Sequence, residues 1–79
     1  MSVDEKIESQ VLHRLISHLQ ENTEVQNIDL MDLSGFCRNC IAKWYKEASL
    51  ENGITIDYEK AKEFVYGMPH DEWKKKYQK

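Results

Sequence analysis

Ile7-Glu8-Ser9-Gln10-Val11-Leu12-His13-Arg14-Leu15-Ile16-Ser17-His18-Leu19 places apolar side chains at Ile7, Val11, Leu12, Leu15, Ile16 and Leu19. At about 100° per residue, these positions fall on one half-cylinder of an α-helix. A stripe that wide is broader than a coiled-coil seam and calls for more than one packing neighbour. Upstream, Ser2 and Glu5 have the spacing of a capping box and open the helix. Its expected end is near Glu21. His18 falls at the edge of the stripe, close to Ile7 and Val11, whereas His13 falls on the polar face.

Downstream, Asn22 to Asn27 is a polar break. Thr23 and Gln26 form a second possible capping box, which predicts a short helix from about Glu24 to Met31. Asp32 or Ser34 can cap a third helix from about Phe36 to Glu51. Asn52-Gly53 stops it with the residue a left-handed C-terminus favours. Ile54-Thr55-Ile56 is too short for a strand of its own and reads as an extended connector. Asp57 caps a fourth helix carrying Tyr58, Ala61, Phe64 and Val65, which Gly67 ends. Pro69 suits the first position of a last helix bearing Trp73 and Tyr77. The expectation is an all-α fold: a compact array of four to five short helices without a sheet, in a single domain spanning residues 1–79.

At 79 residues, 41% hydrophobic and 32% charged, the chain has the composition of one small folded domain. Such a domain buries only about 60% of the surface its unfolded chain exposes, so self-association is an expected aid to stability. No apolar run is long enough to span a membrane. The acidic start, Met1-Ser2-Val3-Asp4-Glu5-Lys6, lacks the features of a signal or transit peptide, so the expected location is cytoplasmic. The net charge of −3 is uneven. Residues 1–36 hold seven acids and two bases, and residues 37–79 hold seven acids and nine bases. The lysines at 74, 75, 76 and 79 read as a solvated helix end whose cations suit the dipole. With a negative total and no arginine cluster, no nucleic-acid partner is expected.

The motif with chemical content is Cys37-Arg38-Asn39-Cys40. At a helix start, the dipole and Arg38 would favour a Cys37 thiolate and redox chemistry, although the βαβ setting of thioredoxin-like motifs is missing. Two cysteines also supply half of a tetrahedral zinc site, with His18 the better-placed histidine to extend it, or a second subunit to complete it. An iron–sulfur cluster would have to be shared by two chains. Against these stands plain packing. On a helical wheel Cys37, Cys40, Ile41, Trp44, Tyr45 and Ala48 share one apolar stripe, and free cysteine packs as a small hydrophobe. His70, after Pro69, is expected to face solvent.

No catalytic set assembles from this sequence: there is no Ser/His/Asp constellation, no marked acid pair and no glycine-rich phosphate loop. Were there a polar pocket, it would be lined by Asp29, Asp32, Arg38, Asn39 and Tyr45 around the start of the third helix. Eight aromatics are generous for a chain of this size. They suggest an aromatic-rich core together with a partner surface at Trp44, Tyr66, Met68 and Trp73.

Val25-Gln26-Asn27-Ile28-Asp29-Leu30-Met31, Ser34-Gly35-Phe36-Cys37-Arg38-Asn39-Cys40 and Tyr66-Gly67-Met68-Pro69 with Glu72-Trp73 together resemble a family of short uncharacterised proteins, a domain of unknown function found chiefly in proteobacteria. The resemblance runs from about residue 12 to the end. It implies a small helical fold in a bacterial cytoplasm and carries over no substrate, cofactor or catalytic residue. Two functions from different classes follow from the residues: a self-associating binding or structural module without catalysis, or a thiol site on Cys37 and Cys40 that binds zinc or undergoes redox exchange.

Overall fold

Five helices carry the regular structure of residues 2–79, which the computed structural model describes. They are α1 (Val3–Glu21), α2 (Asn27–Ser34), α3 (Arg38–Glu51), α4 (Tyr58–Tyr66) and α5 (His70–Tyr77). The all-α expectation holds, with no strand among the described residues. None of these helices is long and apolar enough to cross a membrane.

The ends follow local chemistry. Ser2 Oγ accepts from the Glu5 amide at 3.2 Å and starts α1, and Asp57 Oδ1 accepts from the Glu59 amide at 3.1 Å and starts α4. Gly35 and Gly67 take left-handed conformations that close α2 and α4.

Three starts differ from expectation. The second helix begins at Asn27, three residues later than the capping box at Thr23 suggests, and Gln26 caps it in extended conformation without a side-chain bond. The preceding loop is held by other demands, since the Asn22 and Val25 carbonyls accept from Arg38. The third helix begins at Arg38 with Cys37 as its N-cap. Ser34 cannot cap it, because its hydroxyl bonds back to the Leu30 carbonyl at 2.7 Å. Pro69 is likewise the cap of α5, not its first residue.

The core lies where α3, α4 and α5 meet the C-terminal half of α1. Ile16, Leu19, Ile41, Ala42, Ala61, Val65, Tyr66 and Trp73 form one buried cluster. Only Ile16 and Leu19 of α1 are buried in it. The other edge of the stripe is left in solvent: Val3 is 72% exposed, Ile7 53%, Val11 65% and Leu15 42%. Because α1 packs chiefly on α4, half of its apolar face has no neighbour among the described residues. Helix α1 is the longest element, and the molecule extends 40 Å along its long axis against 24 and 21 Å across.

Candidate functional site

The start of α3 gathers the chain's polar and thiol chemistry. Arg38, in the first turn, is 1% exposed. Its Nη1 donates to the Val25 carbonyl at 2.7 Å and to Asn27 Oδ1 at 3.1 Å. Its Nη2 donates to the carbonyls of Leu19 and Asn22, each at 3.1 Å. The guanidinium also lies 5.0 Å from the centre of the Trp73 ring. The buried cation is thus held by carbonyls at the negative end of the α1 dipole and by an aromatic face, not by a carboxylate. Burial pushes the Arg38 pKa down, opposed by Tyr66, Cys37 and Glu24.

A directed chain of hydrogen bonds leads away from this cation. Arginine can only donate, so Asn27 must present its oxygen, and its Nδ2 is left to donate to Tyr66 at 2.9 Å. The Tyr66 hydroxyl in turn donates to Asn39 Oδ1 at 2.7 Å. Burial is the main reason the Tyr66 phenol is pushed up to about 12, against the hydrogen bond from Asn27.

Beside this chain stand the thiols. Cys37 is buried and Cys40 partly exposed, both unpaired as free cysteines. Their sulfurs are in contact, 3.7 Å apart, and either can donate to the other. The Cys40 and Ile41 amides both donate to the Cys37 carbonyl, so the motif is the first turn of α3 itself.

The remaining expected residues do not converge here. His18 is exposed on α1, and among the described residues no three His, Cys, Asp or Glu side chains cluster as metal ligands would. Of the pocket expected around α3, Arg38 and Asn39 enter one network, whereas Asp29 and Asp32 are exposed on α2. Tyr45 stacks obliquely on Phe64 at the surface, with ring centres 4.7 Å apart. Tyr66 and Trp73, expected on a partner surface, are 2% and 1% exposed and form core. Their aromatic area is needed to roof Arg38 and to fill a small interior. Met68 is half-buried against the same core, and Trp44 alone of that set is well exposed. His70, expected in solvent, is buried and stacks on Tyr66 with ring centres 4.6 Å apart.

Sequence reasoning left Asn27 without a role. Nothing local marks it, because Asn27 meets Arg38 from 11 residues upstream across the whole of α2.

A second feature is apolar. Leu12, Ile41, Trp44, Tyr45, Ala48 and Phe64 line a groove of about 230 Å³ between α1, α3 and α4. It adjoins the bare edge of the α1 stripe. A second hollow shares Tyr45 and Phe64 with it and is lined also by Lys60 and Glu63, whereas a third, lined by Lys43, Lys46 and Glu47, shares no residue with the groove.

Residues 25–79 match the family described as Protein of unknown function (DUF1244). The chain belongs to that family, and the match covers α2 to α5 together with the Arg38 network and both thiols. No curated protein matches the chain significantly.

Proposed function

We propose that this protein is a self-associating helical module, assembled as a twofold pair through the bare face of α1. The observation that carries the reading is the stripe Val3, Ile7, Val11 and Leu15, which is apolar by sequence and exposed in the single chain. Contiguous exposed apolar surface on a small protein marks an interaction site. The occupant we assign is a second copy. The stripe continues into the groove lined by Leu12, Trp44, Tyr45 and Phe64, so one chain offers both a ridge and a hollow. In a twofold pair each α1 crosses the other chain's groove, and every contact is made twice. The pair is a cytoplasmic assembly, a setting in which the two thiols persist unpaired.

Native mass spectrometry and analytical ultracentrifugation of untagged, reduced protein test this. The expected species has twice the 9.4 kDa chain mass. Val11→Asp, placed on an exposed position, should give a folded single chain with unchanged helical circular dichroism. A wild-type protein that stays a single chain at high micromolar concentration would overturn the reading.

A further inference from the structure

We propose that Cys37 and Cys40 are a reversible dithiol site that exchanges with low-molecular-weight disulfides, with Cys40 as the entry thiol and Cys37 as the resolving thiol. The inference rests on the geometry of the α3 start and not on self-association.

Three observations carry it. The sulfurs are already in contact at 3.7 Å. Closing a disulfide requires a further approach to about 2 Å, within the reach of side-chain rotation when the Cα atoms are suitably placed. Residues three apart at a helix start have Cα atoms about 5 Å apart, inside the range disulfides use. Cys37 also stands outside the regular helix, with extended φ −140° and ψ −178°, so its side chain is not tied to the helical rotamers of the first turn.

Exposure sets the order of reaction. Cys37 is buried at 8% exposure, whereas Cys40 is the more accessible of the pair. An incoming disulfide therefore meets Cys40 first.

The chemistry balances as two exchanges. The Cys40 thiolate attacks one sulfur of RSSR, the S–S bond breaks, and RS⁻ leaves to take up a proton as RSH. The Cys37 thiolate then attacks Cys40 Sγ in the mixed disulfide, forms the Cys37–Cys40 bond and expels the second RS⁻. Two electrons pass from the dithiol to RSSR, and the two thiol protons end on two RSH.

The test is incubation of the full chain in buffers of graded oxidised and reduced glutathione, followed by acid quench, alkylation after unfolding and intact mass measurement. The expected product is a single chain lighter by two hydrogens that takes up no alkylating agent and returns to the dithiol on reduction. Cys37→Ser should accumulate a glutathione adduct on Cys40, and Cys40→Ser should form its adduct about tenfold more slowly, in line with burial. Unchanged dithiol in fully oxidised glutathione, or disulfides only between chains, would overturn the site. Equal adduct rates in the two serine variants would overturn the assigned order. The masses are read on unfolded chains, so the result is independent of pairing, and the Val11→Asp variant should behave as the wild type does.

Discussion

The Arg38 guanidinium lies 5.0 Å from the centre of the Trp73 ring, with its other contacts made to carbonyl and amide oxygens. One side chain thereby joins the end of α1, the following loop, the start of α2, α3 and α5. Arg38→Met keeps the volume but leaves the Leu19, Asn22 and Val25 carbonyls without this donor. An unsatisfied buried acceptor costs about 1–3 kcal/mol, and water can recover part of it, so the expected loss is about 3–5 kcal/mol. Arg38→Lys should lose nearly as much, because an ammonium cannot span acceptors on both sides of a planar fork. Urea unfolding followed by circular dichroism measures both, and a loss under about 1 kcal/mol for Arg38→Met would contradict the central role of this residue.

Tyr66→Phe probes the next link. The ring would keep its packing against Trp73 and His70, while Asn27 Nδ2 and Asn39 Oδ1 would lose the hydroxyl between them. The expected cost is about 1–3 kcal/mol. The pKa of Tyr66, pushed up from 10.0 to about 12, gives a second readout. Above pH 10 the unfolded chain ionises this phenol and the folded chain does not, so stability falls as pH rises from about 10 to about 12. In Tyr66→Phe that part of the alkaline loss should vanish, as measured by unfolding at several alkaline pH values.

These residues also mark where reading the sequence stops being enough. Helix caps are local, and Ser2, Asp57 and Gly67 were legible because each acts within a few residues of its own position. The start of α2 was not, since it depends on Arg38 drawing in the Asn22 and Val25 carbonyls from 16 and 13 residues away. The candidate site divides in the same way. Helical spacing put Cys37 and Cys40 together, but it could not tell which aromatics form core, because Tyr66 and Trp73 are buried by residues distant in sequence. The width of the α1 stripe implies more than one neighbour, whereas within the described residues α1 packs chiefly on α4.

Gly67 should prove the most sensitive glycine. It has φ +74°, and a Cβ added there would lie 3.0 Å from the Gln20 side-chain amide. That amide donates to the Val65 carbonyl at 3.1 Å, at the open end of α4. Gly53 has a similar φ of +76° with nothing within 4 Å. Gly53→Ala should therefore cost only the left-handed strain, about 1–2 kcal/mol. Gly67→Ala should cost about 1 kcal/mol more by displacing Gln20. In a Gln20→Ala background that excess should disappear, which a double-mutant cycle on thermal unfolding can show.

His70 links stability to acid. Its pKa is lowered mainly by burial, then by Lys62 and Lys74, against weaker opposition from Glu59 and Asp71. The ring packs on Tyr66. A histidine whose pKa is depressed in the folded state binds fewer protons there than in the unfolded chain. Its contribution is unchanged above the ordinary value of 6.5. As pH falls below that value the unfolded chain takes up a proton that the folded chain resists, and stability drops until the folded ring also protonates. His70→Asn removes this titration at the cost of the stacking contact. Its midpoint should be lower at pH 7.5 yet fall less between about pH 6.5 and 5 than that of the wild type. Urea midpoints across that range check it. Parallel slopes for the two proteins would show that other groups carry the acid sensitivity.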